Sequence, residues 1–297
     1  MCAMTLFRSY ADDMELFTWL SEHIWPNEAK LREEDVLAGA RLAAVEMIRS
    51  GTVFFNDMYW FGRAGLQMAE ESGLRAMISK FVIEDRPGHV RDDCVRQNGD
   101  LASAYAACGA KDRVRLTIGP HAVYTVSESS LRAVAEEARA SGEWIHVHAS
   151  ETRKEVEDCV AAHGLSPIAW LDRCGLLGPQ TLLAHCVHLS PEDIALIRER
   201  GAVAEHNPCS NYKLCSGAFA FRDVYEKGKC RMSIGTDGCS SNNNLSMFDE
   251  MKLAALSAKL QSGDPACAPA TAICMRPVTL TEFRTAGRSS GLSHFLI

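Results

Sequence analysis

No stretch of the 297 residues approaches the roughly 18 consecutive apolar residues of a membrane-spanning helix. The opening, Met1 to Asp13, lacks a basic segment followed by an apolar run, so no secretory leader is expected there. Lysine and arginine form no stripe, and the formal net charge is −7. Binding to nucleic acid by phosphate neutralisation is therefore disfavoured. The 12 cysteines are scattered and none forms a Cys-x-x-Cys pair. A disulfide framework suits small secreted domains rather than a chain this long and apolar. Reduced, mostly buried cysteines in a cytoplasmic protein are the expectation. No Gly-x-Gly-x-x-Gly follows an early strand, which argues against dinucleotide binding and redox chemistry.

What is present is 47% hydrophobic and 23% charged residues, enough for one large buried core and too balanced for disorder. Seven β-rich runs alternate with amphipathic helical stretches: 52–56 (TVFFN), 74–83 (LRAMISKFVI), 114–118 (VRLTI), 144–147 (WIHV), 181–184 (TLLA), 202–205 (AVAE) and 230–234 (CRMSI). They are near-continuously apolar, as expected of strands buried on both faces. Gly51, Gly73, Gly109, Gly142, Gly201 and Gly228 follow helical patterns and are expected to terminate helices with positive φ. Ser190-Pro191-Glu192-Asp193 offers an N-cap, an N1 proline and acidic first-turn residues. Thr125-Val126-Ser127-Glu128 has capping-box spacing. Alternation of this kind predicts an α/β fold with a parallel sheet covered by helices. Seven strands is one short of a closed eight-fold barrel; an open doubly wound sheet is the other architecture the pattern allows.

In barrels, chemistry sits at the C-terminal ends of the strands. Here those ends carry Gly119-Pro120-His121, His146-Val147-His148, His185, Glu205-His206-Asn207-Pro208 and Gly235-Thr236-Asp237-Gly238. A set of histidines in register with the βα repeat is a stronger signal than any one of them.

The ordered motifs GPHAxYTVS, HxHASET, AHCVHL, HNPxSNxKL and GTDGxxSNNNL resemble the amidohydrolase superfamily, and within it the 5-methylthioadenosine/S-adenosylhomocysteine deaminases. The opening MTLFRSYADDMELFTWL resembles the stretch that follows that family's first metal motif. The resemblance spans roughly residues 3 to 265. It implies a (β/α)8 TIM-type barrel, here lacking the first strand and the accessory β-sandwich domain. It implies residues 1–265 as the barrel core and 266–297 as a divergent tail.

The resemblance also implies the chemistry. A divalent metal, zinc with iron or manganese as alternatives, would make water a nucleophile near neutral pH. His148 would be a ligand; Asp237 would bind metal and take a proton from the water; His185 would orient the attacking hydroxide. Glu151 would protonate the purine ring nitrogen as hydroxide adds to C6, and contact substrate. Unrelated zinc deaminases attack adenine C6 in the same way. His121 resembles the substrate-contacting histidine. Asn207, Ser210, Asn211 and Ser241 are further substrate-loop candidates. His146 faces the same side as His148, and reads either as barrel packing or as a metal pair with it. His188 and His206 read as structural, while Asp57 and Trp60 fit pocket lining or packing. Hydrolytic deamination of 5′-methylthioadenosine, S-adenosylhomocysteine or adenosine is the implied activity. Other C–N or C–Cl hydrolysis, on guanine, cytosine or a triazine, is the alternative, as is a catalytically impaired remnant. The expected partner is a small-molecule nucleoside, with no nucleic acid or membrane, and homo-oligomerisation fits the family.

The sequence also departs from the family. The family's His-x-His closes its first barrel strand, and its second histidine would fall at about Met1. An internal start or incomplete gene model is expected, with weak metal binding and slow turnover. The tail ACAPATAICMRPVTLTEFRTAGRSSGLSHFLI has little helical periodicity. Asn244-Leu245-Ser246 stands where an aspartate commonly follows the leucine.

Overall fold

In the computed structural model, which describes residues 1–274, each of the seven predicted runs is a strand. They are β1 (Phe54–Asp57), β2 (Arg75–Val82), β5 (Val114–Pro120), β6 (Trp144–Ala149), β7 (Thr181–His185), β8 (Val203–His206) and β9 (Arg231–Ile234). A small antiparallel hairpin, β3 (Glu84–Arg86) with β4 (His89–Val90), was not foreseen. The seven form one sheet in the order β1-β2-β5-β6-β7-β8-β9, every pair parallel. β5, β6 and β7 run one or two residues past their predicted ends, so His148 and His185 sit within strands rather than after them.

Parallel pairing demands a crossover between neighbours, and helices supply it. The helix Glu128–Ser141 shows how: Leu131, Val134, Ala135 and Ala138 recur at helical spacing and are buried. They pack on Ile145 and Val147, which point outward from β6 into the same core. Full burial of one such side chain stabilises by about 1.5–3 kcal/mol. The alternate residues of β6, His146 and His148, point the other way. Inward residues of β1, β2 and β6 to β9 all line one interior cavity of about 160 Å³. The sheet is therefore curled, with β1 and β9 as its two edges. It is a TIM-type α/β barrel one strand short of eight, not the open doubly wound sheet.

The segment Cys2–Phe7 bridges the upper end of that seam. Cys2 N donates to Asp57 Oδ1 (2.7 Å), and Ser240 Oγ lies 3.3 Å from Met4 Sδ. A Cβ on Gly238 would meet Met4 Sδ at 2.6 Å, so the Met4 side chain packs directly against the glycine of the loop after β9.

Four of the six marked glycines, Gly51, Gly73, Gly142 and Gly201, adopt positive φ. Gly109 is not among the positive-φ residues, and Gly228 sits at φ −70°. Gly228 is there for space instead: a Cβ would meet Ile194 Cγ2 at 2.5 Å. Ser190 caps its helix as expected, with Pro191 in the first turn, and Asp193 completes a capping box with it. The Thr125 box does not. Ser127 caps the helix position without a side-chain bond, and its Oγ donates to Glu84 Oε1 (2.8 Å). Thr125 Oγ1 is already used, toward Ala122 O and His121 Nδ1.

Among the described residues eleven cysteines are free thiols, and nine of these are buried. No helix there is long and apolar enough to cross a membrane. Of the tail, residues Ala270–Cys274 form a short helix; positions 275–297 lie outside the described residues.

Candidate functional site

The C-terminal ends of β5, β6, β7 and β9 bring five of the marked residues around one pocket: His121, His148, Glu151, His185 and Asp237. Three non-glycine residues there hold left-handed backbone, Ser150 (φ 54°), His185 (φ 75°) and Asp237 (φ 56°). Each such residue costs on the order of 1–3 kcal/mol. The surrounding hydrogen bonds hold them there.

On β6, His148 is buried and its Nδ1–H donates to His121 O (2.7 Å). That bond leaves Nε2 with a free lone pair facing the pocket. Burial, then His185, push the His148 pKa down to about 4, so the ring is neutral. Its ring stacks on His185 at 5.5 Å. His185 Nδ1–H donates to Asn211 Oδ1 (2.8 Å), and Nε2 lies 3.7 Å from Glu151 Oε2. Burial opposes charge on His185, but Glu151 and Asp237 outweigh it and raise its pKa.

Asp237 is held by three donors: Ser210 Oγ (2.8 Å) and Ser241 Oγ (2.9 Å) on Oδ2, and Gly238 N (2.7 Å) on Oδ1. Burial alone would raise its pKa. The His185 ring, the N-terminal amino group and His148 outweigh that and hold it at about 2. Glu151 is the opposite case. Burial raises its pKa, and Asp237 adds to the rise while His185 opposes it. Two buried carboxyls thus sit in one site with pKa values driven apart, the pattern that separates a metal or base role from an acid role. Ser216 Oγ donates to Glu151 Oε1 (3.2 Å).

His121 is buried, its pKa lowered by burial and then by His148, and it shares a 2.9 Å hydrogen bond with Thr125 Oγ1. Trp19, Trp25, Trp60, Phe81 and Tyr124 wall the pocket above it. A wider cleft of about 750 Å³ adjoins through Glu28, Trp60 and Tyr124. Glu28 Oε2 accepts from Trp60 Nε1 (3.3 Å).

The remaining marked residues fall elsewhere. Ser210, Asn211 and Ser241 sit behind the site, bonded to Asp237 or His185. Asn207 lines the interior cavity beneath, as does His146. His206 stacks on Phe219 at 4.5 Å, and His188 Nε2–H donates to Ser216 O (2.7 Å). Asp57 anchors Cys2 N. Ser246, at the position where the resemblance expects an aspartate, caps the helix Met247–Ser262 by accepting from Asp249 N. Glu28, Tyr124 and Ser216 carried no signal of their own: they lie in three separate segments, and only the fold joins them.

The donor chemistry fits a divalent ion in part. A neutral imidazole with its second nitrogen tied to a carbonyl, beside an ionised carboxylate, is a recurring metal pair. Yet among the described residues no three His, Cys, Asp or Glu side chains form a metal-holding group. His148 and Asp237 are donors without a full shell.

A curled βα sheet with its polar groups gathered at the strand ends belongs with the barrel hydrolases in architecture. The model of the amidohydrolase family matches residues 2–291. A 5′-deoxyadenosine deaminase of Methanosarcina mazei is 42% identical over 290 residues, 98% of this chain and 66% of that protein. A 5-methylthioadenosine/S-adenosylhomocysteine deaminase of Thermoanaerobacter pseudethanolicus is 42% identical over 267 residues, 90% of this chain and 62% of that protein. The crystal structure of an adenosine deaminase from Xanthomonas campestris with bound zinc superposes with a TM-score of 0.84 at 35% identity, covering 92% of this chain and 62% of that one. The chain belongs to the amidohydrolase family. It spans about two-thirds of the length of the curated relatives it matches.

Proposed function

We propose that this chain carries the greater part of the active site of a hydrolase that deaminates adenosine-type nucleosides modified at the 5′ position, releasing ammonia. The observation that supports it best is the convergence of His148, Glu151, His185 and Asp237 beneath an aromatic pocket. The relatives named above add the substrate class: 5′-deoxyadenosine, 5′-methylthioadenosine and S-adenosylhomocysteine.

His148 and Asp237 would hold the divalent ion, zinc by analogy with the Xanthomonas protein. When bound, such an ion would supply water that loses a proton near neutral pH. Asp237, held ionised, would take that proton and later give it to the departing amino group. His185, tied to Asn211, would orient the attacking oxygen over purine C6. Glu151, whose pKa is raised by burial, would give its proton to the ring nitrogen and recover one from the C6 hydroxyl as the C–N bond breaks. The aromatic walls exclude water and stack on the base. His121 contacts the nucleoside, and the adjoining cleft leaves room for a 5′ substituent. Asn207 and Ser241 complete the substrate loops, Ser241 through its bond to Asp237.

The test is ammonia release from 5′-deoxyadenosine, 5′-methylthioadenosine, S-adenosylhomocysteine, adenosine and guanine, with metal content measured alongside. It is run on this chain and on a form extended upstream with a His-x-His strand. Release from the 5′-modified adenosines is expected, and stronger metal retention in the extended form. Hydrolysis of guanine alone overturns the substrate class. Nucleoside binding without turnover in either form supports the second reading, an impaired binder, which the incomplete donor group favours.

A further inference from the structure

Glu155 is buried, 2% exposed, and is not among the residues lining the pocket. Both its carboxylate oxygens are spent on backbone. Oε1 accepts from Ser150 N (3.0 Å) and Oε2 from Glu151 N (2.7 Å). Ser150 is the residue held at φ 54°. Glu155 is itself fixed in the first turn of the helix Arg153–His163, where Thr152 Oγ1 accepts from Glu155 N (3.1 Å). Thr152-x-x-Glu155 has capping-box spacing, and a capping-box glutamate reaches the N–H of the cap residue. This one reaches the two residues before it.

The same loop is held from its other side. Ser150 O accepts from Val187 N (3.0 Å) and His188 N (2.9 Å), in the loop after β7. The backbone of Ser150–Glu151 is thus fixed at both edges. The Glu151 side chain faces His185 Nε2 at 3.7 Å, with Ser216 Oγ at 3.2 Å on its other oxygen. Removing the Glu155 carboxylate would bury two N–H groups without acceptors and let the strained Ser150 relax.

We propose that Glu155 is a positioning residue: its carboxylate clamps the strained Ser150–Glu151 backbone and so keeps the Glu151 side chain aimed into the pocket. This rests on the reading of Glu151 as the proton carrier.

The test uses the full chain, its Glu155→Gln variant and its Glu155→Asp variant. Gln keeps the size but turns an NH2 toward one of the two N–H groups; Asp keeps the charge but is one methylene short. Amide hydrogen exchange at Ser150 and Glu151 is expected to rise about tenfold or more in both, the loss expected for a bond to a charged acceptor. Protection in the rest of β6 and β7 stays. Turnover of 5′-deoxyadenosine falls about 10–100-fold, chiefly in kcat with KM little changed. Unchanged exchange at both amides overturns the proposal. So does exchange that rises while kcat stays. Loss of protection throughout β6 and β7 in both variants also overturns it, by making Glu155 a general structural residue. Turnover is compared in the form extended upstream with a His-x-His strand as well; if that parent binds metal but releases no ammonia, the reading of Glu151 falls, while exchange at the two amides still judges the clamp.

Discussion

The upper rim of the barrel and its interior wall are built from the same residue types, yet they differ in how their polar atoms are satisfied. At the rim, the side chains of Asp237, His148, His185, Glu151 and Glu155 all have hydrogen-bond partners. Inside the barrel, both amide atoms of Asn56 on β1, His146 Nδ1 on the central β6, Asn207 Oδ1 just after β8 and Thr52 Oγ1 just before β1 are buried with no partner among the described residues. These residues line the interior cavity of about 160 Å³. Inward side chains of the strands have chiefly one another for partners, whereas at the rim the loops after the strands supply donors and acceptors.

That contrast predicts where substitutions hurt. The largest effect is expected at the rim. Asp237→Asn removes the one strongly ionised carboxyl while keeping its shape, and should lower ammonia release about 10⁴-fold. Glu151→Gln should lower it by about 10²–10⁴-fold. Steady-state rates on 5′-deoxyadenosine read both, and a rate within tenfold of the parent would remove either residue from the chemistry.

An intermediate effect lies where the helix Met247–Ser262 ties the loop after β8 to the loop after β9. Glu250 Oε1 accepts from Asn242 Nδ2 (2.6 Å), and Oε2 from Cys209 N (3.1 Å). Burial pushes its pKa up to about 7. An unfolded glutamate titrates near pH 4.3, so between those values the folded state keeps a proton that the unfolded state has lost. Stability from this group is full at low pH, falls as pH rises from about 4 to 7, and levels above that. Glu250→Gln should flatten that slope by about 1–3 kcal/mol, as read from urea melts across the range. Glu155, also raised to about 7 by burial, contributes a slope of the same sign. A variant with the parent's slope would show that Glu250 titrates normally.

The smallest effect is inside the barrel, and its sign is reversed. His146 is buried with Nδ1 unpartnered, and burial keeps it neutral. Replacing a buried polar group that lacks a partner by an apolar one of similar size should stabilise. For His146→Leu we expect a gain of about 1 kcal/mol, measured by denaturation. A loss of that size would mean the cavity supplies His146 with a partner, and the contrast between rim and interior would not hold.

Much of this was legible before any coordinates. The seven strands followed from runs too apolar to have a wet face, and each lies within a residue or two of its predicted position. The gathering of His121, His148, His185 and Asp237 followed from their register with the βα repeat, because a parallel sheet puts all its C-terminal ends on one side. Other features were not legible. Thr125 and Glu155 both sit in capping-box patterns, but each bonds instead to the loop just before its helix. Gly228 does end the helical turns Arg222–Lys227, but at φ −70° rather than in left-handed backbone, and a Cβ there would collide with Ile194.

The sequence by itself determined the βα alternation, the identity of the strand-end residues and their common side of the sheet. These depend on local periodicity and on the direction of each strand, both written along the chain. Only the tertiary structure decided which two of those residues face each other across 3.7 Å, and which carboxyl is raised and which lowered. Those outcomes depend on distance and burial between segments far apart in sequence, and no pattern within one segment encodes them.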